Sequence, residues 1–583
     1  MSESREAIMQ RIEEMEVEDG AERPRFTEEE MEKIRQARAQ PRTVVTTRPT
    51  SLGYVSIACI IINRMVGTGI FRTPTTVAHG THSVGYSLVF WAAGAIVAVS
   101  GVLVFAEFGM TVPRLPVENE HEKESVPRNG GEKNYLEYMV KRPLYLATCI
   151  YGIPFICLGT AAGNAIVFAE NIMQAAGKEA MNASVRGIAV SVITFACLLH
   201  AISRTGGVWL NNFFGAVKFV MLLVLFILGV VYAAGGFGGS DETASQNLNV
   251  HKSFAGAATS SYGYAEAFLA IIFAIGGFNQ ANYVLGDIDD PRKKFKHTAV
   301  TTVSIVSILY ILINISYMLV VPTSVLFEHA DDTVARPFFQ RIFGEEAADK
   351  VLCGFIAFSS FGNIIVQTFT AARVKQEIAK EGILPGAKFF ANNYSLWPRR
   401  LRRDSRAETS DDTPAGALIL HLVFAVALIL LTVPEQNPND AYRTMVSLYS
   451  FTIDALFGFA VGLSLLVLRL RPGYHWASKS DSNASVSISA ALIFTIANAF
   501  PLVAVWIPPS GDTGITQPVK WYLTGTIGMG LIGFSLAYWV VFYYVVPRLK
   551  GKRLEVEREE ILDDRNGYWI MWHEIVRFNW RVV

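Results

Sequence analysis

Charge is scarce in this chain. Only 17% of its 583 residues are charged, and 51 lysines and arginines balance 51 aspartates and glutamates to a formal net charge of zero. A soluble chain of this length would normally carry more charge, spread over several domains. Neutrality argues against a nucleic-acid partner. Cysteine is sparse as well. The five present (Cys59, Cys149, Cys157, Cys197, Cys353) lie in or beside apolar runs with no CxxC spacing, which leaves no secreted disulfide framework and reads as small buried apolar side chains. There is no HExxH or other metal-ligand spacing and no P-loop, so neither a metal, a cofactor nor direct ATP drive is expected. No nucleophile–base pair supports an intramembrane enzyme, and no continuous polar stripe supports a channel. The N-terminus is polar and acidic (Glu13, Glu14, Glu16, Glu18, Asp19) and lacks the apolar core of a cleavable signal. The first membrane helix is then expected to do the targeting.

What the chain has instead is apolar length: 51% hydrophobic and 12% aromatic residues, with mean hydropathy +0.31. A span needs roughly 20 mostly apolar residues, and on that basis about twelve candidates are found. They lie near 52–79, 85–112, 143–171, 185–203, 208–234, 261–287, 298–322, 350–378, 414–433, 441–470, 485–507 and 519–546. Lysine and arginine gather on one side: Arg114, Lys123, Arg128, Lys133, Lys141 and Arg142, then Arg292, Lys293, Lys294 and Lys296, then Arg399, Arg400, Arg402, Arg403 and Arg406. The loops at 80–84 and 434–440 have none and 235–260 has only Lys252. The bias places both termini in the cytoplasm. Trp506 and Trp521 suit an interfacial belt on the outer side. Residues 1–50 are charged and poor in aromatics; a short helix is expected at Glu28-Glu29-Glu30-Met31-Glu32-Lys33-Ile34-Arg35 and disorder over most of the rest. The aromatic segment 568–580 is expected to dock on the inner face of the protein or at the membrane interface.

Two spans are broken by glycine at matching places: Ile61-Ile62-Asn63-Arg64-Met65-Val66-Gly67-Thr68-Gly69-Ile70-Phe71 and Phe273-Ala274-Ile275-Gly276-Gly277-Phe278-Asn279-Gln280. Backbone freed in mid-membrane is tolerated only where it lines a protein cavity. Paired breaks point to a substrate site between inverted repeats, here spans one to five and six to ten. N–H groups at Gly67, Thr68 and Gly69 start the outer half-helix and suit a carboxylate. Carbonyls around Met65 and Val66, joined by those of Phe273 and Gly276, suit an ammonium, and Phe273 can close as an aromatic lid. Together they predict a zwitterion, an α-amino acid. The competing reading is close helix packing by small residues.

Charges within spans need a reason of their own. Lys218, about ten residues into the fifth span, is too deep to snorkel easily. It reads as a structural cation or a coupling group, and a proton-carrying role stays open. Arg64 immediately precedes the first break, and Asp454 lies midway along the tenth span. Each is either a pocket wall, gate or proton site, or an ion pair or hydrogen bond that fixes packing. Glu107 is read as a structural anchor, Glu170 and Glu266 as solvated near outer ends, and His200 and His421 as packed. Val112-Pro113-Arg114 recurs as Val126-Pro127-Arg128 with mostly charged residues between, which reads as an inserted solvated loop.

Several motifs carry a resemblance. Val66-Gly67-Thr68-Gly69-Ile70-Phe71, Phe105-Ala106-Glu107-Phe108-Gly109, and Gly276-Gly277-Phe278-Asn279 with Asp289-Asp290-Pro291-Arg292 behind it resemble the amino acid–polyamine–organocation superfamily. Ala372-Arg373 followed by Glu381-Gly382-Ile383-Leu384-Pro385 is similar to the end of that family's eighth helix. Gly130-Gly131-Glu132-Lys133-Asn134-Tyr135-Leu136-Glu137, with residues 63–69, is similar to the fungal high-affinity methionine permeases, a branch close to the L-type amino acid transporters. The resemblance implies an all-α membrane protein of twelve transmembrane helices, a LeuT-type 5+5 inverted repeat with discontinuous helices 1 and 6. Residues 1–50 would be a cytosolic N-terminal tail, 51–546 the permease domain and 547–583 a cytosolic C-terminal tail. The family pattern would place the substrate on Met65, Gly67, Thr68, Gly69, Phe273 and Gly276, and Val66, Ile70, Gly277, Phe278 and Asn279, which adjoin them at the breaks, complete the candidate binding set. Lys218 would stand where sodium-coupled relatives hold a cation, with Arg64, Asp454 and Phe273 as further coupling or gating groups. The expected activity is import of neutral L-amino acids, methionine first, across the plasma membrane. A proton is the expected coupling ion, with no other cofactor. An exchanger, a broader neutral amino acid or cysteine permease, and a non-transporting nutrient receptor are the alternatives. Expected partners are the amino acid, the bilayer and, through the cytosolic tails, regulators of the ubiquitin and arrestin type.

Overall fold

A computed structural model describes residues 28–40, 42–48, 52–117, 123–239, 241–259, 261–328, 333–394, 413–431, 438–508, 520–564 and 569–582. The acidic residues 13–19, the arginines at 399–406, most of the 434–440 loop and Tyr568 lie outside them. Among the described residues, ten helices are long and apolar enough to cross a membrane. The pair Tyr54–Met65 and Gly69–Thr81, bent by 43°, makes up to eleven. Ala415–Leu431 has 17 residues. At ~1.5 Å per residue it falls just short of a ~30 Å hydrocarbon layer. Ten or eleven full-length spans therefore stand where the sequence predicts about twelve.

Both predicted breaks are present. The first helix ends at Met65 and a new one starts at Gly69, with Val66 extended between them. The second ends at Ile275, and the chain resumes as a 3-10 helix over Gln280–Asp287. Gly277 sits at φ +102°, a conformation that a side chain would strain. The breaks touch each other. A Cβ on Gly69 would lie 2.9 Å from Ala274 Cα, so the first break approaches the second at bare-backbone distance. Two further irregularities were not foreseen: the third span is interrupted between Cys157 and Thr160, and Ser450–Ala455 is a π-helical turn within the tenth.

The tails are corrected most. The expected short helix is present and runs over Glu28–Ala39, but where disorder is expected Thr43–Thr47 is a strand. That strand pairs antiparallel with Trp569–Val582, which pairs in turn with Lys552–Asp564. The C-terminal strand is therefore central in a three-stranded sheet. Alternation puts side chains on both faces. Val44, Leu554, Val576 and Phe578 pack on Ala379, Ala387 and Ala391 of the permease body. Ile561 and Ile575 face Ile34 and Ala37 of the N-terminal helix. The aromatic segment thus docks on protein. The loop after the second span is not wholly solvated either: Arg114–Leu115 pairs with Glu124–Ser125, and Ser125, Val126 and Arg128 are buried.

Candidate functional site

The first break exposes the carbonyls that end its helix, a partially negative terminus. In a membrane interior each unsatisfied one costs several kcal/mol, and donors from three other spans meet them. Lys218 Nζ, fully buried, donates to Asn63 O and Val66 O, both at 2.7 Å. Ser359 Oγ donates to Val66 O at 3.0 Å and Tyr310 Oη to Met65 O at 2.7 Å. The Asn363 amide, with its nitrogen turned inward, donates to Arg64 O at 3.1 Å and Asn63 O at 3.2 Å. Val66 O has both lone pairs engaged, so the predicted ammonium contact there is not available in this conformation. Met65 O keeps one. Lys218 therefore ties the first, fifth and eighth spans together: a Cβ on Gly362 would meet its Nζ at 3.1 Å.

The second break lies between the two charges whose meeting was left open. A Cβ on Gly276 would sit 3.9 Å from Asp454 Oδ2, and one on Gly277 would sit 2.4 Å from Arg64 Cγ. Arg64 and Asp454 thus flank the same unwound turn, on the first and tenth spans, and Arg64 shares a small cavity with Tyr449. Asp454 lies in the π-helical turn, an irregularity often found at functional sites.

Above both breaks is a cavity of about 790 Å³, opening on the face opposite the termini. Gly69 and Phe273 line it, with Ser450 and Phe451 of the tenth span. Arg72, Glu170 and Glu266 stand in its wall. Arg72 and Glu170 pair at 3.5 Å. This corrects the reading of the two glutamates. Glu170 is buried, Glu266 is half-buried, and both face the cavity. Thr68 Oγ1 bonds Tyr442 Oη. Ile70 is buried, its carbonyl accepting from Tyr317 Oη. Two further predicted contacts point elsewhere. Phe278 packs edge-on against Phe105 and Phe494, and Asn279 donates to Glu132 Oε1 at 2.6 Å.

The face that carries the termini is closed. Asp287, at the end of the second break's 3-10 helix, pairs with Arg204 at 3.1 Å and Arg373 at 3.2 Å. Glu107 accepts from Arg469 and Trp476, the anchoring role that its place suggested. His200 packs against Phe369 and bonds the Ile365 carbonyl. No cluster of metal-ligating side chains is found among the described residues.

Ten or eleven spans with a cavity at two paired breaks are the setting for the family finding. The amino acid permease family model matches residues 52–532. The chain belongs to the amino acid permease family. It is 30% identical to the high-affinity methionine permease of Saccharomyces cerevisiae over 521 residues, 89% of this chain and 83% of that protein. Its identity to the low-affinity methionine permease of the same yeast is 26%, over 85% of this chain and 83% of that one. Against the human b(0,+)-type amino acid transporter 1 it is 28%, over 74% and 78%. This permease is accordingly a multi-pass, non-enzymatic amino acid transporter. Sequence reasoning missed Tyr310, Ser359 and Asn363, although polar residues inside apolar spans seven and eight are a usable signal. It also missed Arg72 and Tyr442, which only the fold brings to the cavity.

Proposed function

We propose that this permease imports neutral L-amino acids, methionine first, by proton symport with alternating access across the plasma membrane. In this reading both termini are cytosolic and the helices form a LeuT-type 5+5 repeat with two spans outside it. The carrying observation is the contact of the two breaks, Gly69 on Ala274, beneath the 790 Å³ cavity. Helix-start amides at Thr68 and Gly69 receive the carboxylate. The ammonium finds the Met65, Phe273 and Gly276 carbonyls and Asp454, and Phe273 covers the side chain. Methionine as substrate is supported by the likeness to the two yeast methionine permeases. Regulators of the ubiquitin and arrestin type would act on the cytosolic tails.

The test is uptake of radiolabelled methionine competed by cysteine, leucine and lysine at two pH values. Uptake blocked by cysteine and leucine but not by lysine, and faster at the lower external pH, is expected. Methionine that binds but never enters sealed vesicles would leave only a receptor, and counterflow without dependence on a pH gradient would leave an exchanger.

A further inference from the structure

Lys218 and Lys375 are both buried among the spans, and they are held differently. Lys218 is fixed between two carbonyls at a helix C-terminus, both at 2.7 Å, which complement its charge. Lys375, 2% exposed on the Glu345–Lys380 helix, has weaker company. Its Nζ lies 3.3 Å from the Ile156 carbonyl and 3.3 Å from Nδ1 of His421, itself 2% exposed on the Ala415–Leu431 helix. The other titratable groups facing the pair are the thiols of Cys157 and Cys197, with His200 beyond His421. Among the described residues no carboxylate forms an ion pair with Lys375. Glu132, the nearby acid on the third span's entry, is taken by Asn279 and Tyr283.

The pair borders a small cavity of about 30 Å³. Arg64 and Gln280, from the two broken segments, line the same space, as do Tyr283 and Tyr449. It has room for about one water molecule. Gln367, 5% exposed, lines it with both amide atoms unpartnered, and His421 Nε2 and Arg64 Nε are unpartnered too. Polar atoms left open around one water-sized space fit a hydrated relay better than plain packing.

We propose that Lys375 and His421 together are the site that takes up and releases the coupling proton, an inference that rests on the symport reading above. In the charged form the ammonium donates to Nδ1 of a neutral imidazole whose own proton is on Nε2. Loss of one proton leaves a neutral amine beside a neutral imidazole. With the imidazole proton moved to Nδ1, the ring donates to the amine, so the hydrogen bond survives in both forms. One proton enters, one leaves, and the pair alternates between charge +1 and 0. A carboxylate partner would have pinned the lysine in its charged form. Arg64 lies at the hinge of the first break, so movement of that hinge around substrate changes the field on the pair.

The experiment uses the full chain in proteoliposomes with radiolabelled methionine. A one-unit pH gradient coupled to one proton drives about tenfold accumulation in the wild type, and K375M is expected to abolish it while counterflow falls by less than about threefold. Gradient-driven accumulation retained by K375M overturns the proposal. If K375M loses counterflow as well, H421Q decides: a shift of about one unit in the pH midpoint of uptake supports the pair, and an unchanged profile overturns it. A wild type that counterflows but never accumulates under the gradient defeats the symport reading itself, and the proton site falls with it.

Discussion

The two ends of this permease use the same side chains to opposite effect. On the face away from the termini, Arg72 and Glu170 stand 3.5 Å apart in the wall of a wide cavity, Arg72 half-buried and Glu170 buried. On the terminal face, Arg128, Glu377, Lys380 and Glu574 form one buried network. Arg128 contacts Glu377 at 3.0 Å and also meets Glu574, and Lys380 bridges the same two glutamates at 2.6 and 2.7 Å. A pair that lines an open cavity is worth less than one sealed in protein, because water in the cavity competes for both ions. A buried network cannot lose one member without stranding another. The two arrangements mark the open and the shut side of this conformation, although arginine and glutamate serve at both.

The largest expected effect is at the junction of the two halves. Gly69→Leu drives its side chain into Ala274, and uptake should fall by at least about a hundredfold, as misplacement of reacting groups by ~1 Å can do. Surface abundance should remain, and normal transport would show that the breaks do not hold substrate. Next is Arg128→Gln, which removes one cation from the buried Glu377 and Glu574 and leaves them to Lys380 and Arg558, at a cost of up to about 3–5 kcal/mol. Limited proteolysis within residues 552–582 should accelerate, while an unchanged rate would dissolve the contrast between the faces.

Acidification should act more gently in the same place. Burial, then Arg38, pushes His573 down from 6.5 to about 4. Burial alone would raise the Glu574 carboxyl, but Arg128 and Lys380 bring it down from 4.5 to about 2. Both values lie below those of the unfolded chain. Each group therefore lends stability that is present above its ordinary value and lost as pH falls toward the folded one. Protection of the amides of residues 569–582, hydrogen exchange taken relative to its intrinsic rate at each pH, should fall from about pH 6.5 downward and again below about pH 4.5. Protection that rises on acidification would reverse the assigned signs. The smallest effect belongs to the open face: Arg72→Lys keeps the charge, and the half-maximal methionine concentration should change by less than about fivefold.

Much of the transmembrane body was legible because lipid leaves so few options. Unbroken apolar length announced the spans, and Gly67, Gly69, Gly276 and Gly277 could only mean backbone released into a cavity or very close packing. Lys218 was legible as a cation with a purpose, but its two carbonyl partners were not, since they belong to a helix 150 residues away in the chain. Phe278 and Asn279 were assigned to substrate because they follow the break. The positive φ at Gly277 turns the chain, so they point to the aromatic cluster and to Glu132 instead. The terminal sheet was hidden for a different reason. Thr43–Thr47 is too short to read as a strand by itself, and its partner is at the other end of the chain. Charged residues that read as a solvated loop, Arg128 above all, are buried between that sheet and the eighth span.

The order of strands in that sheet has a consequence for biosynthesis. Thr47 finds His573 across 526 residues, and the strand made last is the one in the middle. At ~5–20 residues per second the first strand waits from about half a minute to nearly two minutes for its neighbour to be synthesised. Until the Trp569–Val582 strand emerges, the sheet cannot cover Arg128 or the end of the eighth span. Each newborn molecule thus passes through an interval with its inner charges bare, during which chaperones and quality-control factors have access that the mature protein denies them.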